Sequence, residues 1–598
     1  MKKLYPTIFL TILIQISVTS NVVASTDNTQ QKILKQIQDN LTRGIESKKL
    51  DSELKDKRQK LILPDLKIKV PSPPPKEDKV ECNKIKKVKF TDNRSLSKRE
   101  LSNIEAQVLG KCINIHNINE AIRITSNKYV DKGYVTTKAF VVPQDSSTGV
   151  IEILVVEGTL ESIEFDNNAK GRIALFDKIK IASAFGDYKN KALNIRDIEQ
   201  GLDQFNRLSS NNITMKLLPG SESGKSKIVI TDKNAANKEQ KKNSIIGHLS
   251  IGADNAGQEL TGEKRKKING ELNNIFQLND SWYISATKDM EDMNHSKGSE
   301  SLYVSMNVPY NYYNFSAAIS RSSYIGTITD TNSSISVEGI TNNQSYRIDK
   351  VVFRNKIQKI TANLNLALKD SESFSAGTLN QTQSYLLTVG SFGISDTIRS
   401  QKGVFVFGGN YYRGLDWLNA KSDESGLRYD QNIAQFEKID FNFNYYKQLK
   451  LLGKNVNLKS SLNGQYSNDH LYSSEQISIG DEYSVKGFKE DTITGDSGGY
   501  LTNELAIYLP GFITNKYNIN KILKRNQFFV SYDIGYARQR GGKETNNSGE
   551  GYVSGFGLGI RYDGKYLNYN MTYAKAINHP IFITPDSEIL YLSSNIKF

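Results

Sequence analysis

The sequence predicts a mainly β chain: a transmembrane antiparallel β-barrel of about sixteen strands, preceded by two small α+β modules and an amino-terminal amphipathic helix. Three observations carry this. The last nine residues put Leu590, Leu592, Ile596 and Phe598 on one face of an extended strand, with Tyr591, Ser593, Asn595 and Lys597 on the other. That alternation suits lipid on one side and a wet lumen on the other. The same texture recurs from about Ser244 onward, and the chain opens with an export signal. Alternation alone also fits a soluble sandwich or propeller; export and the terminal phenylalanine select the barrel.

The signal occupies residues 1–24. Lys2 and Lys3 are its charged start, Leu4 to Val18 its apolar run, and Val22-Val23-Ala24 a small-residue cleavage site before Ser25. The run is too short and too early for a spanning helix, and no later stretch offers eighteen uninterrupted apolar residues. A closed barrel crosses without one, because neighbouring strands satisfy every backbone hydrogen bond.

Residues 25–50 hold Ile33, Ile37, Leu41 and Ile45 at four-residue spacing among Gln30, Gln31, Lys35, Gln36, Gln38 and Asp39. This predicts a mostly polar helix, suited to plugging a wet lumen. Residues 51–79 carry five of the chain's twelve prolines: Pro64, Pro71, Pro73, Pro74 and Pro75. Such a spacer is extended, at roughly 3 Å per residue, so the helix can dock far from its sequence neighbours.

Two copies of one unit follow, over 80–157 and 158–233. In the first, Lys86–Phe90 reads as a strand, Ser97 with Glu100 as a capping box, and Asn117 with Glu120 as the next helix start. Strands Tyr134–Val142 and Val150–Val156 close it. The second runs Leu160–Phe165, helix Arg172–Ala182, and a helix with Ile195, Ile198, Leu202 and Phe205 on one face. Strands Ile213–Leu218 and Ser226–Thr231 complete it. Small mixed modules of this kind usually bind partners rather than catalyse.

The barrel is placed at 240–598. Leu302, Val304, Met306 and Val308 alternate with Tyr303, Ser305 and Asn307; Leu364, Leu366 and Leu368 alternate with Asn363, Asn365 and Ala367.

A net charge of +14 would suggest nucleic acid in the cytoplasm; export argues against it, leaving solvated faces or anionic lipid. The two cysteines, Cys82 and Cys112, would close a loop of about thirty residues in an oxidising compartment, so a disulfide is expected, the alternative being two buried thiols. The five histidines show no ligand spacing, so no metal or other cofactor is expected.

Two motifs mislead. Gly495-Asp496-Ser497-Gly498-Gly499 copies a serine-protease nucleophile, but no histidine stands in a suitable setting, and a glycine-rich turn explains it. Gly220-Ser221-Glu222-Ser223-Gly224-Lys225-Ser226 falls one residue short of a phosphate loop and reads as a hairpin turn. No enzymatic activity is expected.

The ordered motifs resemble one family. The first unit carries Lys111-Cys112-Ile113-Asn114, then Tyr129-Val130-Asp131-Lys132-Gly133-Tyr134-Val135-Thr136-Thr137, and ends Val155-Val156-Glu157-Gly158. The second carries Leu193 through Gln204, then Leu217-Leu218-Pro219-Gly220. In the barrel, Gly480 through Phe488 precedes Gly495-Asp496 and Asn503-Glu504-Leu505. Over almost the whole mature chain this resembles the TpsB transporters of two-partner secretion, the haemolysin secretion/activation proteins of the Omp85 superfamily, with two POTRA modules before the barrel. The resemblance implies an inward-folded loop near 480–500 whose residues Val485, Lys486, Gly487 and Phe488 lock onto the barrel wall. The family usually carries arginine where Lys486 stands. Its expected partner is a wall aspartate, and Asp533 fits by register, with Gly535 leaving room for the loop. Lysine offers a point charge where arginine offers a fork, so a retained but less rigid pair is expected in a wet lumen, against two separately solvated charges.

The resemblance further implies bacterial outer-membrane localisation with the modules in the periplasm, insertion by the barrel-assembly machinery, which reads an aromatic carboxy-terminus, and contact with outer-membrane lipid. The transported partner would be an unfolded TpsA exoprotein, a haemolysin, adhesin or contact-dependent toxin, moved without nucleotide. Candidate substrate-binding residues are Tyr134, Val135 and Thr137 on the predicted strand Tyr134–Val142, and Arg196 and Asp197 on the helix Asn194–Leu208. The alternative is an outer-membrane protein insertion factor of the BamA or TamA kind.

Overall fold

A serine three residues ahead of a glutamate starts the first helix as expected. In the computed structural model, the Ser97 hydroxyl accepts from the Glu100 amide and the Glu100 carboxylate accepts from the Ser97 amide. The structure describes residues 35, 39, 43, 61–62, 82–166, 172–233, 246–290, 296–330, 333–381, 383–428, 431–451, 453–508, 526–540, 550–586 and 588–598. The expected signal, the apolar positions Ile33, Ile37, Leu41 and Ile45, and most of the proline-rich stretch lie outside these.

From that stretch, Leu61–Ile62 forms a short strand, β1. The first module comprises β2 (Lys87–Thr91), α1 (Lys98–Glu105), α2 (Ile115–Asp131), β3 (Lys138–Val141) and β4 (Val150–Val156). Its sheet runs β2-β4-β3, with β2 parallel to β4 and β3 antiparallel to it. The second comprises β5 (Thr159–Phe165), α3 (Arg172–Phe185), α4 (Ile195–Asn206), β6 (Ile213–Pro219) and β7 (Lys225–Asp232). Its sheet repeats the order, β6-β7-β5, and β1 adds in parallel to the edge of β6, Leu61 opposite Met215. The four apolar positions expected on α4 are all buried.

Two expectations for the first module are corrected. The second helix is capped by Asn114, whose Oδ1 accepts from the Asn117 amide, because the Asn117 side chain is used on the Cys112 carbonyl. Tyr134 to Thr137 form a turn, not a strand. Gly133 has φ +99°, its carbonyl accepts from the Ile195 amide, and Val135 packs on the second module's core, so this stretch is folded into the junction between modules. Cys82 and Cys112 are disulfide-bonded, with Cα atoms 5.4 Å apart.

The barrel follows in chain order. Its first strands are β8 (Ile246–Asp254), β9 (Arg265–Asn273), β10 (Ser281–Asp289), β11 (Gly298–Tyr310), β12 (Tyr313–Asp330), β13 (Ser333–Arg354) and β14 (Gln358–Ser375). A two-residue flap, β15 (Thr378–Leu379), pairs only with β14. Then come β16 (Tyr385–Ser400), β17 (Gly403–Leu415), β18 (Glu437–Leu451) and β19 (Lys454–Ser467). A small hairpin, β20 (Ile477–Ile479) with β21 (Ile493–Gly495), stands apart from the wall sheet. The wall resumes with β22 (Ser497–Tyr508), β23 (Asn526–Arg538), β24 (Glu550–Asp563), β25 (Leu567–Asn578) and β26 (Ile589–Lys597). With the flap set aside, sixteen antiparallel strands close when β26 pairs with β8. Leu590, Leu592, Ile596 and Phe598 are exposed outward as their alternation requires, and Tyr591 is buried inward.

Candidate functional site

The site lies in the lumen, where residues 468–496 leave the wall and fold inward. Tyr472 packs with Tyr385, Leu387 and Val389 on β16. Glu475, 1% exposed, bridges Lys369 of β14 at 2.5 Å and Lys438 of β18 at 2.9 Å. The chain then crosses the lumen as the β20–β21 hairpin. At its tip Asp481 Oδ1 accepts from the amides of Tyr483 and Ser484, and Ser484 Oγ accepts from the Gly480 amide, shaping the turn that presents Val485 to Phe488. Val485 and Phe488 are buried with Ile477, Ile479 and Ile493 against Ala537 and Val553 of the wall.

All six expected lock residues meet here. Lys486 Nζ lies 3.1 Å from Asp533 Oδ2, and Asp533 is 0% exposed. The surroundings are therefore drier than the wet lumen expected. A lysine satisfies one oxygen only, and Asp533 Oδ1 and Ser531 Oγ are buried without hydrogen-bond partners among the described residues. The wall beneath the loop is paved with glycine. A Cβ at Gly535 would lie 2.6 Å from Ile479 Cγ2, and one at Gly555 would lie 1.7 Å from the Lys486 carbonyl oxygen.

Sequence reasoning missed the connection between this loop and the amino-terminal segment. Residues 35, 39 and 43 are helical, as expected for 25–50. Lys35 and Arg43 both pair with Asp39; Lys35 Nζ also bonds the Ser474 carbonyl, and Arg43 bonds the Ser478 carbonyl at 2.6 Å and Asp481. The carboxylate that shapes the lock turn with one oxygen thus holds the helix with the other. Arg43 is 438 residues from Asp481, beyond any periodicity argument.

Nor did the sequence reveal how the second module seats on the barrel. Asn311, at φ +54° in the β11–β12 turn, donates its amide to Ser183 and receives Gln200 and Gln204 on its carbonyl. Arg207 donates to the Asn279 carbonyl at 2.6 Å; burial pulls its pKa down to about 10. Arg354 reaches Asp203 at 2.5 Å. Two candidate substrate-binding residues fall in this seam: the Tyr312 hydroxyl donates to Asp197, whose carboxyl is pushed up by burial, and Arg196 pairs with Glu199 at 2.7 Å.

The two misleading motifs are structural. Ser497 Oγ donates to the Ser467 carbonyl, while His470 Nδ1 lies 3.0 Å from Asp496, not from the serine. Asp496 also accepts from the amides of Leu471 and Arg540, tying the loop's stem to the wall. The Gly220–Gly224 turn joins β6 to β7, with Glu161 accepting from the Ser221 amide.

Residues 224–562 match the family model described as haemolysin secretion/activation protein ShlB/FhaC/HecB. Residues 84–158 match a ShlB-type POTRA domain and 159–219 a POTRA domain. The chain is 29% identical over 524 residues to the outer membrane transporter CdiB of Dickeya dadantii (strain 3937), covering 86% of this chain and 87% of that one. It is 30% identical over 428 residues to CdiB of Escherichia coli O6:K15:H31 (strain 536 / UPEC), covering 71% and 69%. The hemolysin transporter protein ShlB of Serratia marcescens is 28% identical over 436 residues, 73% and 74% of the two chains. Among solved structures, CdiB from Escherichia coli superposes with a TM-score of 0.79 at 24% identity, over 96% of this chain and 100% of that one.

Proposed function

Because this chain belongs to the haemolysin secretion/activation protein family ShlB/FhaC/HecB, a family of outer-membrane transporters, we propose that it secretes one large TpsA exoprotein through its lumen. The observation that carries this is the Arg43–Asp481 pair. A passive pore has no use for a helix held inside it by ions, whereas a transporter at rest must be sealed and still able to open. The proposed sequence starts in the periplasm, where the unfolded partner meets the paired modules. Its arrival favours the state in which helix and loop have left the path. The chain then threads the lumen, and folding outside prevents return, so nucleotide is not needed.

For recognition we favour the outer part of the first module. Val135 and Asp197 are engaged at junctions, Arg196 pairs with Glu199, Tyr134 packs on the first module's own core and Thr137 is buried, so direct contact falls to the neighbouring β3 and β4. There Phe140, 46% exposed, and Val156, 40% exposed, lie on one sheet face beside the edge of β3, which pairs only with β4 among the described residues. An extended segment can add to such an edge through main-chain bonds and choose by side-chain contact.

The test compares cells with and without the chain. Loss of one large surface protein, with other barrels at normal levels, is the expected result; a general fall in barrel proteins would point to the insertion-factor reading. Single-channel recording of the mature chain with and without residues 25–50 tests the plug, which predicts small flickering conductance that becomes large and steady on deletion.

A further inference from the structure

We propose that the lumen wall formed by β14 and β16 to β19 is a backbone-binding surface for the passing polypeptide, with Asn363, Asn410 and Asp440 as its built station. The proposal rests on the transport reading above and names the chemistry by which the pore handles its cargo.

The three side chains form an oriented ladder. Asn410 Nδ2 donates to Asp440 Oδ1 at 2.7 Å, and Asn363 Nδ2 lies 3.4 Å from Asn410 Oδ1. A carboxylate only accepts, so Asp440 compels Asn410 to present its amide group there and its oxygen to Asn363. Asn363 must then turn its own oxygen to the free end. That oxygen has no partner among the described residues, although Asn363 is 4% exposed. Gly393 lets the ladder lie flat, since a Cβ there would be 1.8 Å from Asn410 Oδ1. A second carboxamide pair runs along β18. Asn442 lies over Gly408, Asn444 Nδ2 reaches Asn442 Oδ1 at 3.4 Å, and Ser461 Oγ opposite Asn444 is buried without a partner among the described residues.

A carboxamide offers the same donor and acceptor as a peptide group, without charge. A wall of them can exchange hydrogen bonds with any extended chain, whatever its sequence, and hold none tightly. Leaving a buried acceptor idle is costly, and an extended chain supplies one backbone N–H per residue to relieve it. The Val485–Phe488 stretch sits on β23 to β25, and the loop's stem reaches Lys369 and Lys438 beside the station, so a passing chain meets the station once the loop has left the path.

The test uses the full mature chain in planar bilayers, with a long unfolded glycine–serine peptide on the periplasmic side as probe. The combined Asn363→Leu and Asn410→Leu variant removes the ladder but keeps bulk and neutrality. The mean blockade during open bursts is expected to shorten about fivefold, the worth of one net hydrogen bond, with conductance in salt alone unchanged. Asn363→Gln keeps the carboxamide and is expected to match the parent. Asn363→Ala, milder for barrel assembly, is measured beside them and is expected to shorten the blockade too. Equal blockade in the parent and in the leucine and alanine variants overturns the proposal while transport stands. A parent pore that the peptide never blocks overturns the polypeptide-pore reading, and the station with it.

Discussion

Replacing Lys486 with arginine is expected to tighten the folded-in loop. The lysine reaches Asp533 Oδ2 at 3.1 Å and leaves Asp533 Oδ1 and Ser531 Oγ, both buried, without partners among the described residues. An unsatisfied buried acceptor costs about 1–3 kcal/mol. A guanidinium carries five donors in a rigid plane, enough to take both carboxylate oxygens and turn an N–H toward the serine. Space for it lies over Gly557, which the lysine stem already crosses; a Cβ there would meet Lys486 Cδ at 2.9 Å. Recovering about 1–2 kcal/mol of the penalty lowers the population of loop-open pores by roughly five- to thirtyfold. The assay is single-channel recording of the mature chain: open bursts of K486R should be rarer by that factor, with unchanged conductance while open. A variant that opens as often as its parent, or more often, would show that the orphaned oxygen does not limit the lock, and the reasoning fails.

Arg43→Ala is expected to increase open bursts strongly, since breaking a buried pair costs about 3–5 kcal/mol, and exchanging Arg43 and Asp481 should restore part of the closure in the same recordings. Reducing the Cys82–Cys112 disulfide should lower the first module's stability by about 2–4 kcal/mol, read as faster amide exchange between Lys84 and Ile113, with barrel exchange unchanged. Glu100 is held down to about 2, first by the Lys132 ammonium and then by the Ser97 amide. Its unfolded value is about 4.3, so its contribution is complete above that pH and drains away as pH falls toward the folded value. Protection of the first module's amides, measured against their intrinsic exchange rates, should therefore fall below about pH 4, and Glu100→Gln should flatten that dependence.

The barrel was legible because lipid and lumen impose a period of two on every strand, and the register around Asp533 could be sorted into faces from letters alone. That sorting, joined to the family resemblance, placed Asp533 opposite Lys486. Tyr134 to Thr137 misled because tyrosine, valine and threonine favour strands, while Gly133 and the neighbouring module override that preference. Asn114 and Asn117 both qualify as caps by type; a tertiary hydrogen bond to Cys112 decides between them. Arg43 with Asp481 and Asn311 with Ser183 were invisible for a different reason. Each joins a helical residue to a turn far away in sequence, and periodicity within an element does not report what lies across from it.

The junction of first and last barrel strands is finished by a side chain. β8 and β26 pair from Ser250–Asp254 to Ser593–Lys597, and beyond that point Asn255 takes over. Its side chain accepts from the Leu592 amide at 2.7 Å and donates to the Leu590 carbonyl at 2.6 Å, while its own amide reaches the Leu592 carbonyl at 3.2 Å. Elsewhere the cylinder is sewn mainly by main chain, with a comparable side-chain link between β19 and β22, where Ser497 Oγ accepts from the Ser467 amide and donates to the Ser467 carbonyl. Here two stitches belong to the Asn255 side chain, so the reach of the closing seam beyond Asp254 depends on that one residue.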